Sequence, residues 1–182
     1  MRALIISDIH GSVEAAEKAL DHFESLKCNE IWILGDVGMI SSFNDYKAFI
    51  TAVRGNCDTD YSAIALDFPV EEDYQLIERD GLNFFLTHGH LFSADYFSKD
   101  EMKFIDPMGE QRDISVFLCG HSHVWRIERN RKGVLVVNPG SLSRPRGGTV
   151  PSFALYETNG EGRGTFSIRE LNSGKILKSA TI

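Results

Sequence analysis

Several common protein classes are excluded by what this chain has little of. It carries only three cysteines, Cys28, Cys57 and Cys119, with no CxxC pair among them. An odd, scattered set fits a reducing compartment better than a disulfide framework. Basic residues are in deficit, 19 Lys and Arg against 26 Asp and Glu, giving a formal net charge of -7. That is the wrong sign for a protein that grips a phosphate backbone irrespective of sequence, so no stable nucleic-acid binding is expected. The count ignores bound metal, and divalent cations would supply positive charge locally where an anionic substrate feels it most. No apolar run approaches the ~20 residues of a membrane-spanning helix. A strand-like segment begins at once, leaving no room for a signal peptide. The expected setting is the cytoplasm, away from membranes. No repeat, low-complexity tract or linker divides the 182 residues, so a single domain, 1–182, is expected.

Short apolar runs are plentiful. Ala3-Leu4-Ile5-Ile6 and Ile31-Trp32-Ile33-Leu34 are continuous, as in strands covered on both faces. Between them Ser12 is placed to cap a helix, with Glu14 in its first turn. Val13, Ala16, Leu20, Phe23 and Leu26 then form an apolar stripe on a helix ending near Asn29. Strand, helix, strand implies a right-handed parallel crossover. A shorter helix is predicted over Asn44 to Thr51. Asp80-Gly81 reads as a hairpin turn between Tyr74 to Arg79 and Leu82 to Thr87. Residues 93–113 are weakly patterned and read as one irregular helix in a flap. Val116 to Cys119, Trp125 to Glu128, Val134 to Val137, Phe153 to Tyr156 and Thr165 to Leu171 read as strands. A parallel first half and a hairpin-rich second half pack most economically as an α/β, four-layer α/β/β/α sandwich, two mixed sheets with helices outside.

The chemistry lies where the runs stop. Asp8 and His10, Asp36, Asn56, His88, and His121 with His123 each follow a strand-like run within a few residues. Strand carboxyl ends meet along one crevice in open α/β sheets. Each element alone is weak, since an Asp after a strand is usually a turn or cap. His121-Ser122-His123 alone is as well explained by an ordinary loop. Together they place oxygen and imidazole donors on one edge, with no thiolate among them. That mixture suits manganese, iron or zinc and not a closed structural zinc site. The donors are also too many for one ion. Asp8, His10, Asp36 and His123 could hold one cation, and Asp36, Asn56, His88 and His121 a second. Asp36 would bridge, one oxygen to each. Two ions ~3.5–4 Å apart can share a hydroxide and clamp both oxygens of an in-line displacement at phosphorus.

These residues, as Asp8-Ile9-His10, Gly35-Asp36, Gly55-Asn56-Cys57-Asp58, Thr87-His88-Gly89-His90 and Gly120-His121-Ser122-His123, resemble the signature of calcineurin-like metallophosphoesterases. Within that superfamily the likeness is to the small YfcE-type phosphodiesterases. It extends through Asn138-Pro139-Gly140-Ser141 and Arg144-Pro145-Arg146-Gly147-Gly148. The resemblance implies the same sandwich, the same ligand division, and two divalent metal ions, manganese first, with iron, zinc or nickel as alternatives. It implies hydrolysis of a small-molecule phosphodiester, and a homo-oligomer, dimer or tetramer. Larger members have a histidine in place of Cys57, thought to assist the leaving group; a thiol is a weaker acid, with an unperturbed pKa near 8.5. Substrates with good leaving groups are therefore expected to be favoured. The interval from Asp36 to Asn56 is short for the branch, which leaves one wall of the cleft open to change.

Around this set, Asp36, Asn56, Cys57 and Asp58 are the catalytic candidates. His90 is a candidate for orienting a ligand from the second shell. Asp58 is also read as fixing the Asn56 loop, and Asn138 and Ser141 as shaping the turn beneath the site. Arg144 and Arg146 are candidates for contacting a phosphate oxygen. Phe92, Tyr96 and Phe97 read as core or flap packing. The alternatives are phosphomonoester hydrolysis of a nucleotide or small metabolite, and a non-enzymatic scaffold. The retromer scaffold subunit resembles these enzymes with degenerate metal positions, whereas this chain keeps every expected ligand.

Overall fold

The opening apolar run forms strand β1, Arg2–Ile6, and its neighbours explain why Ala3 to Ile6 are all fully buried. The protein is seen here in a computed structural model that describes residues 1–59, 65–70, 72–92, 103–105, 111–130, 133–160 and 162–182. After β1 come α1 (Val13–Ser25), β2 (Glu30–Ile33), a 3-10 helix (Asn44–Phe49) and β3 (Ile50–Ala52). The rest is strand: β4 (Tyr74–Arg79), β5 (Leu82–Thr87), β6 (Lys103–Ile105), β7 (Gln111–Asp113), β8 (Val116–Leu118), β9 (Arg126–Arg129), β10 (Leu135–Asn138), β11 (Ser152–Gly160), β12 (Arg163–Glu170) and β13 (Ile176–Thr181).

Two mixed sheets result, in the strand orders β13-β12-β11-β1-β2-β3 and β4-β5-β8-β10-β9. In the first, β1, β2 and β3 run parallel, with β11 antiparallel to β1. In the second, β5, β8 and β10 run parallel, flanked by antiparallel β4 and β9. Alternate residues of β1 and β2 serve two cores. Leu4, Ile6, Ile31 and Ile33 pack beneath α1, whereas Ala3, Ile5 and Trp32 face the second sheet. Between the sheets Phe84 meets the rings of Trp32, Tyr156 and Phe166 at 5.0, 5.2 and 6.4 Å. Full burial of such a side chain contributes roughly 1.5–3 kcal/mol. The parallel strands thus have no polar face, which is why their sequences read as unbroken apolar runs.

Helix α1 starts as its sequence predicts: the Ser12 hydroxyl accepts the Ala15 N–H at 3.3 Å. It buries Ala15, Ala16, Ala19, Leu20 and Phe23. It departs in two details. Val13 is exposed, and the helix stops at Ser25, because Lys27 turns left-handed with φ 52°. The Asp80-Gly81 turn joins β4 and β5 as a two-residue hairpin, with both φ values positive at 52° and 76°.

Three expectations need correction. The helix predicted to Thr51 ends at Phe49, and Ile50–Ala52 pair parallel with β2 instead. The β-branched Ile50, Thr51 and Val53 fit a pleated strand better than a helical turn. The irregular helix over 93–113 falls mostly outside the described residues; its described parts, β6 and β7, pair as an antiparallel ribbon. Strand β13 was not anticipated, being a mostly exposed edge strand whose Lys178 and Ser179 mask its pattern. No helix among the described residues is long and apolar enough to cross a membrane.

Candidate metal centre

Each parallel strand feeds a loop into one end of the sandwich. Asp8 and His10 follow β1, Asp36 follows β2, Asn56 follows β3, His88 follows β5, and His121 and His123 follow β8. Seven described non-glycine residues have left-handed backbone, and five are from this set: Asp8, His10, Asp36, His121 and His123, with φ between 47° and 66°. Such a conformation costs roughly 1–3 kcal/mol per residue and persists only where the surroundings impose it. Here the two ligand loops are laddered together. The amides of Asp8, Ile9, His10 and Gly11 donate to the carbonyls of Gly35, Asp36, Asp36 and Val37 at 2.9–3.1 Å.

Close approach adds a steric requirement. A Cβ on Gly55 would lie 2.1 Å from Asp36 Oδ1, and one on Gly120 would lie 1.9 Å from Ser7 Oγ and 2.9 Å from Asp8 Oδ2. No side chain larger than hydrogen fits either position without moving a carboxylate loop.

Four of the expected ligands converge tightly: one donor atom each from Asp8, His10, Asp36 and His123 lies within 4.8 Å of all the others. His123 Nε2 is 3.1 Å from Asp8 Oδ1 and 3.3 Å from His10 Nε2. The tautomer is set from behind, since His123 Nδ1 donates to the Arg144 carbonyl at 2.6 Å. In this tautomer it is Nε2 that faces the carboxylate oxygen, and a neutral ring would turn a lone pair toward it. Asp8 Oδ1 is fully buried and receives no hydrogen bond among the described residues. Acceptor facing acceptor at contact distance demands a cation or a proton.

The remaining ligands repeat the pattern beside it. His88 Nδ1 donates to the Leu34 carbonyl at 2.7 Å, leaving Nε2 to face Asn56 Oδ1 at 3.1 Å and Asp36 Oδ2 at 3.4 Å. The His121 ring stands 5.1 Å from that of His88, centroid to centroid, and its backbone N–H donates to Asp8 Oδ2 at 3.1 Å. His90 lies 5.5 Å from the His88 ring and 6.3 Å from the His121 ring; its Nδ1 is buried and without a partner among the described residues. Asp36 stands between the two groups. Its Oδ1 accepts the Cys57 backbone N–H at 2.8 Å, and its Oδ2 lies 3.7 Å from His10 Nε2 and 3.4 Å from His88 Nε2.

Electrostatics follow from this crowding. Burial alone would raise the Asp36 carboxyl, but hydrogen bonds from His88 and Cys57 outweigh it and hold it well below the usual range. Asp8 is pushed up by burial, only partly offset by His88 and His123. Burial lowers His10, His90 and His121. For His88 burial is overcome by Asp36 and Asp8, and its pKa is raised. The donor set fits divalent cations: buried carboxylates, imidazoles with tautomers fixed through Nδ1, and an orphaned carboxylate oxygen.

The supporting residues are now distinguishable. Asp58 is a clamp: Oδ2 accepts the amides of Asp36 and Gly55 at 2.8 and 2.9 Å, and Oδ1 those of Val37 and Gly38 at 2.9 and 3.2 Å. With both oxygens so engaged it fixes the Asp36 and Asn56 loops and is not placed to react. The exposed Cys57 thiol is pushed up to about 11 by partial burial and by the Asp36 carboxylate it donates to. Asn138 Nδ2 donates to the Gly120 carbonyl at 2.7 Å, and the Ser141 hydroxyl to the Asp8 carbonyl at 2.7 Å, so both shape loops as expected. Arg144 is exposed, and its charge reaches His10, whereas the described contacts of Arg146 are made by its backbone. Phe92 packs edge-on to Tyr74 and Phe85; Tyr96 and Phe97 lie outside the described residues. Sequence reasoning missed Ser7, whose hydroxyl donates to the Leu34 carbonyl at 3.0 Å. A serine ending an unbroken apolar run was the available signal.

Residues 1–161 match the family model of the calcineurin-like phosphoesterase superfamily domain. The chain belongs to that superfamily. It is 29% identical to phosphodiesterase YfcE of Escherichia coli K12, over 100% of this chain and 98% of that one. It is 28% identical to phosphodiesterase MJ0936 of Methanocaldococcus jannaschii, over 87% and 93%. The solved structure of the E. coli phosphoesterase YfcE superposes with a TM-score of 0.81 at 28% identity, covering 99% and 98% of the two chains. Vps29 of Entamoeba histolytica shares the fold, with a TM-score of 0.65 at 17% identity over 100% and 98%. Family membership and the Asp/His cluster together imply divalent metal ions.

Proposed function

We propose that this protein is a metal-dependent phosphodiesterase acting on small-molecule phosphodiesters. Asp8, His10, Asp36 and His123 would hold one divalent cation, and Asp36, Asn56, His88 and His121 a second, with His90 beside them. The observation that carries the reading is Asp8 Oδ1, buried without a hydrogen bond among the described residues and 3.1 Å from His123 Nε2, a contact that a shared cation would satisfy. When bound, divalent cations supply Lewis acidity toward phosphate oxygens and ionise water near neutral pH. Manganese is the first assignment, because mixed oxygen and imidazole donors suit it. The free thiols of Cys28, Cys57 and Cys119 accord with a reducing cytoplasm.

The chain's own residues define the rest. The Leu34 and Arg144 carbonyls hold the His88 and His123 protons on Nδ1 and keep both Nε2 atoms free. Asp58 fixes the left-handed turn that aims Asp36. Arg144 is exposed and its charge is felt at His10, so its guanidinium would meet a non-bridging phosphate oxygen. A Cys57 thiol near 11 stays protonated at neutral pH and is a poor acid for an alkoxide. Aryl diesters should therefore outrun alkyl ones, and Cys57→His should raise the alkyl-to-aryl rate ratio. An unchanged ratio removes Cys57 from leaving-group chemistry.

The test is hydrolysis of bis(p-nitrophenyl) phosphate by purified protein, alongside metal analysis, with and without chelator. Turnover should vanish on chelation, return with Mn2+, and be missing in Asp36→Asn. A metal-loaded wild type that hydrolyses no phosphoester would make the protein a scaffold of this fold.

A further inference from the structure

We propose that Cys57 is a positioning residue that sets the amide orientation of Asn56 and thereby determines how tightly the second cation is held; this rests on the dinuclear reading above. The sulfur lies between two of the expected ligands. Asn56 Nδ2 donates to Cys57 Sγ at 3.3 Å, and Asp36 Oδ1 accepts the Cys57 backbone N–H at 2.8 Å. One exposed residue thus links an amide ligand, through its sulfur, to the shared carboxylate, through its backbone.

The Asn56 amide has two faces of equal shape and opposite chemistry. With Oδ1 turned inward, at 3.1 Å from His88 Nε2, it offers a neutral oxygen to a cation. Turned over, it would offer N–H groups to the His88 lone pair instead. Once His88 Nε2 has given up its proton, as it must to bind a cation, that second arrangement is a good hydrogen bond in the empty site, and a cation must reverse it before binding. The sulfur opposes the reversal because it gives the amide N–H an acceptor on the outer side. Asn56 is itself exposed, so among the described residues the sulfur is the group that holds its amide N–H. The Cys57 backbone contact to Asp36 survives any substitution, so the first cation seat should be indifferent to the side chain.

The experiment is calorimetric titration of Mn2+ into chelator-stripped wild type, Cys57→Ser, Cys57→Ala and Cys57→Val, with bound metal counted at saturation. A hydroxyl can accept from Asn56 as the sulfur does, so Cys57→Ser should keep both affinities within ~3-fold of wild type. Cys57→Ala should lose about 10-fold or more in the weaker equivalent, the scale for losing a partner that orients a ligand, and leave the tighter one alone. Cys57→Val keeps the bulk without the hydrogen bond and should repeat the loss, with metal-free melting near wild type. A wild-type second affinity in Cys57→Ala or Cys57→Val overturns the proposal and leaves the proposed function standing. So does equal weakening in the serine and alanine variants. A wild type that takes up no second equivalent overturns both.

Discussion

The two proposed cation seats share Asp36 and differ in almost everything else. In the first, Asp8, Asp36 and His123 are 0%, 2% and 3% exposed, and all four donors are already gathered. In the second, His88 is the one deeply buried member besides the shared Asp36; Asn56 and His121 are exposed on short loops. The first is built into paired strand ends, laddered by the 8–11 and 35–37 backbones. The second is finished by side chains free to turn. Ordering those side chains costs free energy at the moment of binding, whereas the first seat has met that cost on folding. Two similar donor sets in one cleft should therefore bind the same ion with different affinities, filling stepwise.

The largest expected effect breaks the symmetry directly. His123→Ala should remove the tight equivalent, a loss of more than ~100-fold and beyond that of any outer partner. His121→Ala should weaken only the looser one. Calorimetry with Mn2+ on both variants reads this. Equal losses would mean the seats are not distinct. Next is Asp58→Asn. An amide has one acceptor oxygen where the carboxylate serves four backbone N–H groups, so some are left unpaired. That should cost about 1–3 kcal/mol of stability in urea unfolding, and both equivalents should weaken together, since Asp36 is common to both. Selective loss of one equivalent would place Asp58 in that seat alone.

The contrast also explains what could be read from sequence. The strands β1, β2, β8 and β10 were legible because burial on both faces leaves no polar residue to interrupt the pattern, and Ser12 and Asp80-Gly81 mark a cap and a turn by their own chemistry. Residues 50–52 were misread because three residues cannot display a period, and β13 because an edge strand shows none. In the site, the ligand positions stood out as polar residues at the ends of apolar runs. The devices that orient them did not. The carbonyls of Leu34 and Arg144 belong to any residue, and so does the Cys57 backbone amide that meets Asp36 Oδ1. Asp58 resembled an ordinary turn residue because its four partners are backbone groups in two separate loops.

The smallest expected effect concerns the proton that occupies the second seat when metal is absent. Pairing with Asp36 and Asp8 raises His88 despite its burial. A raised histidine contributes stability that is fully present below its ordinary pKa of 6.5 and is lost as pH climbs through the raised value. Chelated protein should therefore melt at falling temperature from about pH 6 to about pH 9, across the ordinary histidine range. Saturating Mn2+ should flatten or reverse that slope, because the ligand lone pair must be free of its proton to bind, and affinity grows as the proton leaves. A chelated melting temperature that rises over the same interval would mean the Asp36–His88 contact holds no proton. The second seat would then be open to a cation at every pH, and the difference between the seats would lie in side-chain freedom alone.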